Sequence, residues 1–149
     1  MTTPKPSELT EQQAISHILR HCRTVAVVGL SPKAHRESYR VSQYLQAQGW
    51  RIVPVNPVAA ASGESILGEK VYASLTEAAR HEALDLVDVF RNSEDVLPVV
   101  DEALALGLQA LWLQLGIVHD AALARARGAG MVAVQDHCLK VEHARQRLA

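Results

Sequence analysis

Residues 25–40 read VAVVGLSPKAHRESYR. Val25, Ala26, Val27 and Val28 are small or β-branched and apolar, the composition of a strand buried on both faces of a parallel sheet. The run stops at Gly29, so the first strand spans 25–29. Leu30, Ser31, Pro32 and Lys33 make a short loop, and a helical pattern holding Tyr39 and Arg40 follows. A strand, a glycine turn and a helix start build the unit with which α/β folds hold phosphate, because first-turn N–H groups point at the ligand. Lys33, Arg36 and Arg40 beside the turn suggest a ligand with several phosphates.

Outward from this unit, strands and helices alternate. Upstream, Thr10 and Gln13 have capping-box spacing, and Ala14, Ile15, Ile18 and Leu19 mark one helix face ending near His21. Downstream, a helix over 38–48 carries Val41, Tyr44 and Leu45 on one side and ends at Gly49. Residues 50–55, WRIVPV, read as the second strand, closed by Asn56-Pro57. Residues 58–68 are unpatterned and read as a loop. A short strand at Lys70–Tyr72, a short helix at Leu75–Arg80 and a strand at Leu84–Phe90 come next. Ser93 is expected to cap a helix ended by Gly107. The strand Leu111–Leu115, the helix His119–Arg127, the strand Met131–Gln135 and the helix Cys138–Leu148 complete the series.

Such alternation implies a parallel sheet with helices on both faces, a three-layer α/β domain. Ligands of such sheets sit beyond the carboxyl ends of the strands. The residues that end each strand are therefore expected to share one crevice: Gly29–Lys33, Asn56–Pro57, Arg91–Asn92, Gln114–Gly116 and Asp136–Cys138.

Bulk properties narrow the classes. A chain of 149 residues fits one domain, expected over 10–149 after a flexible arm, 1–9, that holds Pro4 and Pro6. Fifteen basic and sixteen acidic residues nearly cancel, which argues against a nucleic-acid binder. Two cysteines, Cys22 and Cys138, make no disulfide framework, so a reducing, cytoplasmic setting is the simplest reading. The N-terminus shows no secretory signal, and no apolar stretch is long enough to span a membrane. Of the seven histidines only His17 and His21 have ligand-like spacing, and two ligands make no metal site.

The candidate residues divide by chemistry. Gly29 with Ser31 can cradle a pyrophosphate, with Lys33 and Arg40 as compensating charges; a glycine needed only for the turn is the other reading. An NAD-binding strand wants Asp or Glu where this chain has Asn56, which disfavours an NAD(P)-dependent oxidoreductase. Pro54 and Pro57 can shape an apolar wall for an adenine ring, or Asn-Pro can be a turn alone. Phe90-Arg91 is a core aromatic before a surface cation, or a phosphate contact. Cys138 near a helix start is a candidate thiolate, or a small buried hydrophobe.

The segments VAVVGLSPKAHRESYRVSQYL, GWRIVPVNP, ILGEKVYASL, LVDVFRNSEDV, LWLQLGIV and QDHCLKVEH occur in the order found in single-domain CoA-binding proteins. The chain resembles that family over nearly all of residues 24–143. These are Rossmann-like domains similar to the CoA-binding domain of the succinyl-CoA synthetase alpha subunit. The resemblance implies coenzyme A, or an acyl-CoA, across the strand ends. Gly29, Leu30 and Ser31 would hold pyrophosphate, and Lys33 and Arg40 would face the phosphates. Val55, Asn56, Pro57, Phe90 and Arg91 would flank the nucleotide, and Gln114, Gly116, Ile117 and Cys138 would lie toward the pantetheine arm. This chain has Glu37 where the family often has Pro, and His137 where it often has Arg. A binding module without chemistry of its own is the expected role, with acyl transfer left to a partner chain. A mixed disulfide between Cys138 and the CoA thiol is the alternative. Self-association stays open, since the helix faces suit a core and an interface equally.

Overall fold

Thr10 accepts the Gln13 N–H at 3.1 Å while the Gln13 side chain accepts the Thr10 N–H at 2.9 Å. This reciprocal pair satisfies amides that open a helix, so α1 (Glu11–His21) begins where the sequence places it. In the computed structural model, which describes residues 4–148, the elements then follow as β1 (Thr24–Val28), α2 (Glu37–Ala47) and β2 (Arg51–Val55). After them come α3 (Pro57–Ala61), β3 (Ser65–Ile66), β4 (Glu69–Lys70), α4 (Leu75–His81) and β5 (Leu86–Val89). Last are α5 (Val96–Ala105), β6 (Ala110–Leu113), α6 (Asp120–Gly128), β7 (Val132–Val134) and α7 (Leu139–Leu148).

The main sheet is parallel throughout, in the order β2-β1-β5-β6-β7. Alternation along each strand feeds two cores. Val25, Val27, Leu86 and Trp112 join Ile15, Ile18, Val41, Leu45 and Leu139, from α1, α2 and α7. Ala26, Val28, Val87, Val89, Leu111 and Leu113 join residues of α4, α5 and α6 on the other face. The fold is a Rossmann-like three-layer α/β domain. Tyr72 adds a parallel bridge to Val55 outside β2, a remnant of a further strand. Pro54 is tolerated because its missing N–H falls at this margin, where its carbonyl accepts the Tyr72 N–H.

Two expectations need correcting. The segment 58–68 is not a plain loop. Asn56 caps α3 by accepting the N–H groups of Val58 and Ala59, and β3 and β4 form an antiparallel hairpin. Leu67 and Gly68, at φ +54° and +76°, make its two-residue turn; positive φ at both positions normally calls for Asn-Gly, so Leu-Gly hid the hairpin. Ser93 does not cap α5. Residues Ser93–Asp95 form a 3-10 turn ahead of the helix, and the Ser93 hydroxyl accepts the Val118 N–H at 3.1 Å.

Of the expected arm, residues 1–3 lie outside the described residues. Pro6–Glu8 form a 3-10 turn, and Leu9 packs against the first core.

Candidate functional site

The chain runs outward from β1 to β2, then returns to place β5 on the other side of β1. The loops leaving β1 and β5 depart toward opposite faces, and the gap between them is the switch point where α/β folds bind ligands. Gly29 stands in this gap. Its N–H donates to Val55 O at 2.9 Å and its φ is +89°. A Cβ at this position would lie 2.2 Å from the carbonyl oxygen of Phe90. Only glycine lets the ends of β1 and β5 come this close.

Beyond Gly29 the loop folds on itself. The Ser31 N–H donates to the buried Ser38 hydroxyl at 3.0 Å, and the Lys33 N–H donates to the Ser31 hydroxyl at 3.1 Å. The N-cap of α2, Arg36, lends no side chain to its first-turn amides, which leaves those donors to an outside partner. A cleft of about 420 Å³ results, lined by Gly29, Ser31, Lys33, Arg36, Glu37, Ser38 and Phe90, so one carboxylate shares the lining with the two cations. Among the described residues, the side chains of Lys33, Arg36, Arg40 and Arg91 form no ion pair. Arg40 is exposed and lies outside this lining. Arg36, also beside the turn, is within it.

Because every strand of the main sheet is parallel, the five expected turns share one edge, following the strand order as Asn56, Gly29, Arg91, Gln114 and Cys138. Cys138 lies past β7 at the start of α7, where the Leu139 N–H meets the Gln114 side chain beyond β6. Several of these residues are engaged with the protein itself. The Asn56 side chain, besides capping α3, donates to Leu30 O at 2.9 Å, so it ties the ends of β1 and β2 together. Leu30 and Val55 are buried, and Pro57 opens α3. The Gly116 N–H donates to the Asp136 carboxylate at 2.8 Å. Ile117 packs on the second core, and Cys138 is half-buried with a free thiol. Leu115, expected within a strand, is 69% exposed just past β6.

Sequence reasoning passed over one residue altogether. Asp88, in the middle of β5, has no exposed surface. Its Oδ1 accepts a 2.6 Å bond from Gln114 Nε2, and its Oδ2 has no partner. Burial pushes its pKa up to about 7, against the opposing hydrogen bonds from Gln114 and the Val89 backbone. The visible signal was an acidic residue inside LVDVF, a run otherwise apolar.

A larger cleft, about 830 Å³, opens at the opposite edge, where the strands begin. Leu9, His17, His21, Cys22, Leu84 and Val132 are among its lining. It lies away from the switch point, and the Cys22 thiol there is pushed up to about 12, mainly by burial, far from reactivity at neutral pH. Size alone does not make it the site.

The description "CoA binding domain" belongs to the family whose model matches residues 23–144. The chain belongs to that family. It is 35% identical over 144 residues to the "Uncharacterized protein YneT" of Bacillus subtilis (strain 168), covering 97% of this chain and 98% of that one. "The structure of cell-free ID.343 from Thermus thermophilus" superposes with a TM-score of 0.82 at 36% identity, over 92% of this chain and 98% of that one. A "hypothetical protein from Pyrococcus horikoshii OT3" superposes with a TM-score of 0.81 at 30% identity, over 97% of both chains.

Proposed function

We propose that the rim of strand ends binds coenzyme A or an acyl-CoA, as a binding module without chemistry of its own. The observation that carries this reading is the cleft between β1 and β5. A glycine turn, the open first turn of α2 and the unpaired cations Lys33 and Arg36 meet there, the setting in which helix amides and positive charge hold a pyrophosphate. Family membership supports the choice of CoA among phosphate-bearing ligands. Arg91, past β5, and Arg40, in the first turn of α2, are the further cations on this reading, for phosphates extending from the cleft. The engaged side chains of Asn56 and Gln114 contribute shape instead of direct contacts. The nucleotide lies toward Val55–Pro57 and Phe90. The pantetheine arm runs along Gly116 and Ile117 toward Cys138. Acyl transfer, where it occurs, falls to a partner chain.

The NAD(P) oxidoreductase reading loses further ground, because the polar residue ending β2 spends its side chain on Val58, Ala59 and Leu30. Two free cysteines fit a reducing, cytoplasmic location, which belongs to the same proposal. No helix among the described residues is long and apolar enough to cross a membrane.

Thermal unfolding with ligands tests the reading. A ligand of the native state at a hundredfold excess over Kd adds about 2.7 kcal/mol. CoA is expected to raise the midpoint more than dephospho-CoA, and NAD to leave it nearly unchanged. Equal shifts from CoA and NAD, or none from CoA, reject it. The free, half-buried Cys138 on the rim favours one second reading, a mixed disulfide with the CoA thiol under an added oxidant. Mass spectrometry without reductant decides it: a CoA adduct must form and must vanish in Cys138→Ala.

A further inference from the structure

Beneath the rim runs a one-directional chain of buried hydrogen bonds. It starts at the N–H of Leu139, the first residue of α7, which donates to Gln114 Oε1 at 3.3 Å. The same amide passes through Nε2 to Asp88 Oδ1 at 2.6 Å. Leu139 and Asp88 are fully buried and Gln114 is 3% exposed. The amide cannot flip, since that would aim its NH₂ at the Leu139 N–H and its oxygen at a carboxylate. The link to Asp88 is short and the link to α7 is long, so the slack in the chain lies at the helix. Oδ2 of Asp88 has no hydrogen-bond partner among the described residues, so Gln114 is the one side chain among them that holds the carboxyl group.

We infer that Asp88 is a positioning residue: through Gln114 it sets the seat of the first turn of α7, and with it the Cys138 end of the rim, more tightly when it is ionised than when it carries a proton. Aligned hydrogen bonds polarise one another. A negative charge at one end strengthens both bonds and draws the positive N-terminus of α7 toward the sheet. Cys138, immediately before Leu139, moves with it: its carbonyl already accepts the Glu142 N–H as the helix begins. The preceding turn is pinned separately, since Trp112 Nε1 donates to His137 O at 2.8 Å. The adjustment is therefore confined to Cys138 and Leu139.

The charged state is accessible near neutral pH, with the carboxyl pushed up to about 7 by burial. The titratable side chains packed on the same core are Cys22 just past α1, Tyr39 and Tyr44 of α2, Cys138, and Glu142 and His143 of α7; burial pushes the Cys22 thiol up to about 12. Tyr44 and His143 are bonded to each other at 2.9 Å, and Glu142 pairs with Arg145 at 3.1 Å. On α1 the first-turn Glu11 pairs with Arg127 and sits 3.6 Å from His137, and the rings of His17 and His21 lie 4.6 Å apart, tilted by 48°. Strands β1 and β6 carry no ionisable side chain within their spans. Past the ends of β5 lie Asp85, which accepts the Arg23 and Thr24 N–H groups, and the exposed Arg91. His143 is held below its ordinary value by burial and by Arg147 and Arg23.

The test needs no ligand, so its outcome is separate from that of the CoA reading. Nuclear magnetic resonance of the whole chain follows the Asp88 side-chain carboxyl carbon and the Leu139 amide from pH 5.5 to 8.5, in a His137→Gln background that removes the imidazole of the turn. Both signals are expected to move with one midpoint, and Asp88→Asn to leave the Leu139 amide flat. In parallel, the rate at which 4,4′-dithiodipyridine modifies Cys138 is compared between variants at each pH. The background protein and its Asp88→Asn form are expected to agree within twofold at pH 5.5. At pH 8.5 the form with ionised Asp88 is expected to react at least threefold more slowly. Gln114→Met keeps the charge and removes the link, so it is expected to react as Asp88→Asn does. A carboxyl that does not titrate in this range, a Leu139 amide that ignores it, equal rates at pH 8.5, or a Gln114→Met protein as slow as its parent each overturns the inference.

Discussion

The two ends of the same parallel strands are built on opposite principles. Where the strands begin, polar groups satisfy one another. Asp85 accepts the N–H groups of Arg23 and Thr24, both at 3.0 Å. Arg23 donates to Leu19 O and Cys22 O, and Arg51 pairs with Glu69 and Glu82. Where the strands end, Lys33 and Arg36 face a cleft and form no ion pair among the described residues, and Asp88 is buried with one oxygen unpaired among them. Asp85 and Asp88 lie three residues apart, and the contrast between them is the contrast between the two edges. The start edge is finished by folding; the end edge leaves its polar groups for something else.

The largest expected effect attacks that contrast through pH. Asp88 in the folded protein keeps its proton to about pH 7, while an unfolded Asp releases it near 4. Between these values the folded state binds more protons than the unfolded chain, so stability falls as pH rises through this window and levels off above it. The full penalty is on the order of 4 kcal/mol, an upper figure, since water entry on ionisation would reduce it. Asp88→Asn is expected to match the parent near pH 4 and to exceed it by a few kcal/mol at pH 8, measured by urea unfolding at both pH values. A variant less stable than the parent at pH 8 would show that the carboxylate is better solvated than its burial implies.

A comparison of glycines comes next. Gly29→Ala meets the Phe90 carbonyl and a φ of +89°. Gly130→Ala at the start edge has a similar φ, +97°, but open space around its Cβ. The first is expected to cost about 3 kcal/mol and to abolish CoA binding, the second about 1 kcal/mol with binding intact. Similar costs for both would mean that the ends of β1 and β5 separate readily, and the cleft would lose its definition.

The parts of this arrangement differ in how well the sequence announces them, and the reasons are physical. The apolar runs of β1, β2, β5, β6 and β7 and the capping box at Thr10 are local signals, and each element follows within a few residues of its expected place. The rim follows from them, because parallel strands put all their ends on one edge. The hairpin at 65–70 was hidden because Leu67 holds a positive φ that its side chain disfavours. The start of α5 was misplaced because the Ser93 hydroxyl serves the loop after β6, a partner 25 residues away. Which of the cations beside the turn line the cleft depends on how the loop from Gly29 to Arg36 seats α2, which no local pattern announces. The Asp88–Gln114–Leu139 chain joins two strands and a helix, and only their register brings it together.

Single cations give the smallest and most discriminating test. Lys33→Ala and Arg36→Ala each remove a charge with no ion-pair partner among the described residues, so each is expected to leave stability within about 0.5 kcal/mol of the parent. Each should weaken CoA roughly tenfold, about 1.4 kcal/mol, and flatten the salt dependence of binding. Arg40→Ala, outside the cleft, should lose less than either. Arg51→Ala at the start edge is the reverse case: it removes an exposed but paired charge, costs at most about 1 kcal/mol of stability, and leaves affinity unchanged. Calorimetric titration and unfolding of the same four proteins give both coordinates. The comparison of the two edges stands only when the rim cations move affinity alone and Arg51 moves stability alone. An Arg36→Ala protein that unfolds early and binds CoA normally would mean that its charge serves the fold, and that the phosphates lie elsewhere along the rim.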